Sequence, residues 1–343
     1  MSEGGTLKTV EFGTTGFCPA FQGARVARQA EAMGFDIQLF GENHAMAPDI
    51  FAEMRSAAEA TSRIRLLCGP VNFVTRDPGV IASAIAAVQI ASDGRALCGI
   101  ARGDSAVALA GRRPQAQADL ARDLGLLSTY LSGETVEFPE RTSALQWIGD
   151  LPYRPVPIEM VCSGPRAIAL AARCADRIGL SVGAHPERIR WAMGIIQSAL
   201  DESGRSRESV RVGAYIPFAI AADRSAGAAA LRSRVPGWAH MSSFRGIPLS
   251  QQPAIMRRVT EQLREHYDYR YHREGAPQDN PNTQIVDEAF ADWFGLGGPP
   301  TYLADRLSEL VSLGIDGFSS AFAPEEIETF AAKVIPAVRR AAE

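Results

Sequence analysis

Short apolar, β-branched runs alternate with stretches whose apolar positions recur every three to four residues, the two periodicities of strands and helices. The first run, residues 9–14, leads into a helical pattern over 22–33 that Gly34 closes. Runs at 37–40, 64–68 and 96–101 predict the next three strands, with helices over 48–62 and 78–92 between them. A helix is expected over 112–133, and the alternating stretch 134–155 predicts a small extra hairpin. Runs at 157–162 and just before Gly183-Ala184 predict strands five and six; residues 210–221 predict a long seventh. A helix over 186–203 separates the last two. Residues 224–300 break the rhythm, with helices near 225–234 and 251–266 and a polar stretch over 272–283. That is too long for a plain connector and predicts a lid or accessory subdomain. A helix over 300–313, an eighth strand over 316–321 and a last helix over 324–342 follow. Eight strands, each paired with a helix, predict an α/β fold: one (β/α)8 TIM barrel spanning 1–343, with a helical insertion at 224–300 before the last strand. The rival is a doubly wound open sheet, but no GxGxxG follows the first strand.

One junction carries chemistry of its own. The fifth strand stops in Ser163-Gly164, and Pro165 opens a helix. Proline suits the first helical position, where its missing N–H would have no partner in the helix. The free N–H groups of that turn and the positive end of the helix dipole converge on one point, which suits a phosphate.

Barrel enzymes place their chemistry at the carboxyl ends of the strands. Here those ends are polar or glycine-rich: Thr14, Thr15 and Gly16; Gly41 to His44; Gly69, Pro70, Val71 and Asn72; Gly103, Asp104 and Ser105; Ser163-Gly164; and Gly183, Ala184 and His185. Each has a bland reading. Glycine at a strand end is ordinary turn chemistry. His44 either caps the following helix or serves the site, and Asp104-Ser105 either caps the next helix or lines a ligand. Glu11 precedes the mouth and faces a helix or the barrel interior, so no site role is expected of it. His240, His266 and His272 lie in the insertion without metal-ligand spacing and read as surface; no metal site is expected. There is no HExxH, and no GxSxG to supply a nucleophilic serine.

Composition narrows the setting. A formal charge of −4 offers no footprint for nucleic acid, and no apolar run approaches the ~20 residues of a membrane span. The N-terminus lacks the layout of a signal peptide. Five scattered cysteines, odd in number and without a CxxC pair, point to a reducing, cytoplasmic compartment.

Four segments, CGPVNFVTRDP (68–78), GIARGDSAV (99–107), 163–190 and PPTYLADRLSELVSLGIDGF (299–318), resemble in order and spacing the bacterial luciferase-like flavin and deazaflavin oxidoreductases. Within that family the chain is similar to the branch of coenzyme F420-dependent methylenetetrahydromethanopterin reductase. The resemblance implies a barrel with the cofactor ring across its mouth. Gly69 to Asn72 match the bulge supporting one ring face, in many relatives through a non-proline cis peptide. Gly103, Asp104 and Ser105 match the segment lining the cofactor side chain. Ser163, Gly164 and Pro165 match the phosphate cradle, and Gly183 and Ala184 the loop closing around it. His44 falls where relatives place a substrate-side histidine or acid. The branch carries an acid soon after the first strand's Phe-Gly, whereas Phe12-Gly13 here precedes Thr14-Thr15-Gly16. The resemblance thus implies the coenzyme rather than the methanopterin reaction.

These readings give a redox enzyme that moves a hydride between F420 and a small organic substrate. His44 would handle the proton, with Asn43 and Thr15 orienting the reactants. Arg245, Arg257 and Arg258 either meet the acidic coenzyme or form a solvated helix face. Two alternatives remain: an FMN-dependent monooxygenase on the same cradle, and a catalytically silent barrel binding a phosphorylated metabolite. The family resemblance also implies a homodimer.

Overall fold

The computed structural model describes residues 9–242, 249–272 and 280–343. Eight parallel strands close into a barrel in sequential order: β1 (Glu11–Thr14), β2 (Ile37–Phe40), β3 (Arg65–Val71), β4 (Ala96–Ile100), β5 (Ile158–Cys162), β6 (Arg177–Leu180), β7 (Arg211–Tyr215) and β8 (Gly317–Ser320), which returns to β1. Every strand of the sequence reading is present. Two differ in extent. β3 runs on through Gly69-Pro70 to Val71. The long seventh strand breaks instead at Ile216-Pro217: Arg211–Tyr215 stays in the barrel, and Phe218–Ile220 pairs outside it with Leu296–Gly298. Proline has no N–H for a ladder, so the change of sheet falls there.

Alternation along the strands divides two interiors. Outward residues such as Phe12, Phe318 and Met160 meet the helical ring, where Phe12, Phe35, Phe218, Phe318, Phe322 and Phe330 pack ring on ring. Inward residues fill the barrel. Ile37, Leu39, Leu67, Leu97 and Tyr215 form an apolar layer. Gly179 makes room for it, since a Cβ there would stand 2.6 Å from the Tyr215 ring.

Below that layer the filling is ionic. Glu11, for which the sequence allowed either a helix contact or the barrel interior, faces inward and binds Arg65 at 2.5 Å, Arg177 at 2.7 Å and Arg211 at 3.1 Å. Arg177 also reaches Glu159 at 3.0 Å, and the Tyr215 hydroxyl donates to Glu159 at 2.6 Å. Burial alone would raise the Glu11 carboxyl; the three arginines hold it below the usual glutamate range.

Helices Arg224–Met241, Ala254–His266, Pro281–Ile285 and Glu288–Phe294 occupy the segment 224–300. The first is longer than the sequence suggested, carrying on through Pro236. A short helix, Ser105–Leu109, also precedes the expected one, which starts only at Gln117. The extra hairpin is present as Val136–Phe138 and Arg141–Ser143. Among the described residues no helix is long and apolar enough to cross a membrane.

Candidate active site

The loops that follow the first four strands are stitched together. The Thr15 amide donates to the Ser320 carbonyl at 2.9 Å, and Gly41 N–H to the Gly16 carbonyl at 2.9 Å. Asn43, only 1% exposed, donates from Nδ2 to Ser105 Oγ at 3.0 Å and accepts from the Ala45 amide. Glu42 pairs with Arg76 at 3.1 Å, and Arg76 also reaches Asp49 at 2.7 Å. Among the described residues the second Glu42 oxygen, which is buried, has no hydrogen-bond partner. His44 is exposed, so the loop turns Asn43 inward and leaves its neighbour in solvent.

The β3–β4 junction shows why glycine recurs there. Cys68 pairs with Cys98 but Val71 with Ile100, so β3 carries one extra residue, a bulge. Gly69 sits in it at φ +96°, where a Cβ would lie 2.1 Å from the Val71 nitrogen. The cis peptide at this point is Gly69–Pro70, a prolyl bond rather than the non-proline one that the resemblance implied. Asn72, 2% exposed, folds its Oδ1 back onto the amides of Val74 and Thr75. Gly103 (φ +90°) packs beside it: a Cβ there would meet Asn72 Cγ at 3.4 Å and Val107 at 2.3 Å. Gly69 to Asn72 and Gly103 to Ser105 therefore form one continuous wall.

Across the mouth, Gly164 caps the helix Pro165–Cys174 in an extended conformation with no side-chain cap, and a Cβ on it would meet nothing within 4 Å. That combination, an uncapped positive helix end facing open space, fits a phosphate. Arg166 is exposed in the same turn. Ser163 Oγ donates to the Met241 carbonyl at 3.0 Å. The Gly183–Ala184 loop differs from its expected role in one respect. Gly183 (φ +83°) is pressed against Phe294, and the Ala184 amide donates to the Phe294 carbonyl at 2.8 Å, so that N–H is already taken. His185 stacks on Trp293 at 5.0 Å, and burial lowers its pKa from the usual histidine range.

The described parts of the segment 224–300 close the remaining side. Trp238 stands over Tyr215, 6.3 Å between ring centroids, and the Ser242 hydroxyl donates to the Ser181 carbonyl. Two histidines read as surface belong here instead. His240 is 4% exposed and lies 3.4 Å from Asp104 Oδ1, and His272 is half-buried against Tyr267. His266 is exposed, as expected. Tyr269 donates to Asp104 Oδ1 at 2.7 Å. Metal-ligand spacing was the wrong filter, because these side chains meet a residue more than a hundred positions earlier; the aromatic-rich run HYDYRYH (266–272) was the available signal. Arg257 donates to the Gln252 carbonyl and Arg258 pairs with Asp287, both on the outer side of the segment. Arg245 lies outside the described residues.

A closed eight-stranded barrel with a phosphate-type helix end and a glycine-bulged wall at its mouth defines a class of (β/α)8 proteins. The chain belongs to the luciferase-like monooxygenase family, whose model matches residues 15–317. It is 26% identical over 308 residues to the 5,10-methylenetetrahydromethanopterin reductase of Methanopyrus kandleri, covering 82% of this chain and 84% of the relative. The enzyme of the same name from Methanolobus tindarius is 28% identical over 214 residues, 60% of this chain and 63% of that protein's length. Among solved structures, the coenzyme F420-dependent tetrahydromethanopterin reductase from Methanopyrus kandleri superposes with a TM-score of 0.71 at 21% identity, covering 96% of this chain and 99% of that one. An F420-dependent secondary alcohol dehydrogenase in complex with an F420-acetone adduct gives 0.73 at 15% identity, covering 96% and 99%.

Proposed function

We propose that the protein is a coenzyme F420-dependent oxidoreductase that exchanges a hydride with a small organic substrate. The observation that carries this reading is the uncapped helix start at Gly164-Pro165, facing open space at the same mouth as the Gly69–Asn72 bulge. The solved structures named for F420 dependence, and a 26%-identical relative named an F420-dependent glucose-6-phosphate dehydrogenase, support the choice of coenzyme. When bound, F420 supplies a two-electron hydride donor or acceptor.

The chain's own residues bind, orient and handle the proton. Ser163, Gly164 and the first-turn amides hold the phosphate, and the Ser163 hydroxyl then exchanges the Met241 carbonyl for a phosphate oxygen. Gly69 to Asn72 support the ring, with Gly103 and Ser105 along the side chain and Asp104 turned toward the substrate. Asn43 is held rigid by Ser105 and keeps the second and fourth loops in register, while Thr15 borders the substrate space. Asp104 carries the proton, because its Oδ2 is buried at the mouth without a partner among the described residues. His44, exposed on the neighbouring loop, is the alternative carrier. The segment 224–300 serves as a lid that excludes water. A homodimer in a reducing cytoplasm completes the proposal.

The phosphate cradle accommodates FMN equally, and the family includes monooxygenases by its name. Oxygen separates the two. The enzyme is incubated with F420 or reduced F420 and panels of alcohols, imines and activated alkenes, and coenzyme absorbance is followed with and without air. Turnover indifferent to oxygen supports the deazaflavin reading; turnover only with FMN and oxygen refutes it.

A further inference from the structure

The stretch 266–272 folds back over the carboxyl end of β4. There the Tyr269 hydroxyl stands 2.7 Å from Asp104 Oδ1 and 2.9 Å from His240 Nε2. The His240 ring lies flat on Tyr267, 3.8 Å between centroids and 12° between planes, and the Tyr267 hydroxyl meets His272 Nδ1 at 2.5 Å. Valence fixes the direction of these bonds. An ionised carboxylate only accepts, so Tyr269 donates to Asp104, and its oxygen accepts from His240 Nε2–H. Two atoms of this otherwise paired cluster, Asp104 Oδ2 and His240 Nδ1, are buried with no partner among the described residues. Buried polar atoms are nearly always satisfied, and an orphaned pair beside a ligand site marks where a ligand's polar group belongs.

We propose that His240 and Tyr269 are positioning residues for Asp104. They occupy Oδ1 and leave Oδ2 as the oxygen that meets the substrate's exchangeable proton, so that the helix Arg224–Met241 and residues 267–272 complete the acid–base site. This rests on the oxidoreductase reading above. A carboxylate oxygen accepts, so the substrate it fits bears a hydroxyl or N–H on the carbon that exchanges the hydride. In the oxidising direction the O–H or N–H proton moves to Oδ2, and the C–H electron pair leaves with the hydride to the oxidised deazaflavin. A C=O or C=N bond forms. The reverse direction returns both.

Among the described residues, the groups facing Asp104 are His240 from the helix Arg224–Met241 and Tyr267, Tyr269 and His272 from the stretch after His266. Arg102 and Arg112, on its own loop, turn away to the carbonyls of Gln115 and Val74. Burial pushes the Asp104 carboxyl up. The bond and charge of His240, the Tyr269 bond and the charge of His272 outweigh it and hold the group below the usual aspartate range.

The test is a 13C-NMR pH titration of the full chain labelled at the aspartate carboxyl carbon, without coenzyme, using Asp104→Asn to assign the Asp104 signal. Wild type is expected to titrate below the ordinary aspartate value of about 3.9. In Tyr269→Phe, which keeps the ring packing, and in His240→Gln, burial is left less opposed and the proton affinity of Asp104 rises at least about tenfold. A midpoint unmoved in both folded variants overturns the proposal. With coenzyme and a working substrate, the acidic limb of the kcat profile moves by the same factor while KM changes little. Loss of F420 binding would sink the functional reading and leave the NMR result standing; F420 turnover with an unmoved midpoint would sink this inference alone.

Discussion

The Ser163 hydroxyl at the end of β5 and the Met241 carbonyl at the end of the helix Arg224–Met241 share a 3.0 Å hydrogen bond across 78 positions of sequence. It ties the phosphate end of the mouth to the segment that covers it. Gly164, next in the chain, faces open space, so a bulky side chain there would fill the cradle without disturbing the fold. Gly164→Trp is expected to weaken F420 binding by about 100-fold or more, as loss of a phosphate's charge-assisted bonds would, and to leave the circular dichroism spectrum unchanged. Fluorescence titration of wild type and variant checks it.

The wall of the site depends on a bond between two loops. Asn43→Ala removes the donor to Ser105 Oγ from a site only 1% exposed and leaves a buried hydroxyl unpaired. The expected cost is about 1–3 kcal/mol, read from urea denaturation. In a double-mutant cycle with Ser105→Ala the two effects should be markedly less than additive. Strict additivity would mean that the bond does not hold the loops.

Proton handling separates two neighbours. Asp104→Asn keeps an acceptor for Tyr269 but removes the proton carrier, and should lower kcat/KM by about 10²–10⁴-fold. His44→Ala should lower it by less than about tenfold, since the ring is exposed and outside the hydrogen-bonded wall. Steady-state kinetics on both variants decide between the carriers; the opposite ranking would return the role to His44.

The ionic filling of the barrel sets its acid limit. Glu11 is held below the usual glutamate value. Its stabilising contribution is therefore fully present above about pH 4.3 and is lost as pH falls through the depressed folded value. Glu11→Gln should flatten the acidic arm of the stability–pH curve. Arg177→Met, which leaves the buried Glu159 without its cation and removes one of the three arginines on Glu11, should cost about 3–5 kcal/mol at neutral pH. Chemical denaturation across a pH series measures both.

The residues of the site were legible in the sequence to different depths. Each strand end that joins the wall or the cradle is local chemistry: a bulge at Gly69, a proline-opened helix after Gly164, an inward Asn43. The local pattern carried the helix start after Gly164; the bulge at Gly69 came through the family resemblance, and the inward turn of Asn43 is seen only in the structure. The partners of Asp104 were not legible, because His240 and Tyr269 arrive from an insertion whose fold follows no repeating unit, and nothing in their spacing ties them to β4. The role of Glu11 was hidden for a related reason. A single acid in a strand does not announce three arginines on β3, β6 and β7; only closure of the barrel brings them together. The break at Pro217 was visible as a residue but not as an event, since a proline also suits a strand's edge.

The measurement with the most bearing on the central claim is a binding titration of the purified full chain against F420 and, separately, FMN, followed by cofactor fluorescence. Saturable F420 binding at micromolar concentration or tighter, abolished by Gly164→Trp and much stronger than FMN binding, is the expected outcome. Tight FMN binding with none for F420 would contradict it and assign the cradle to a flavin.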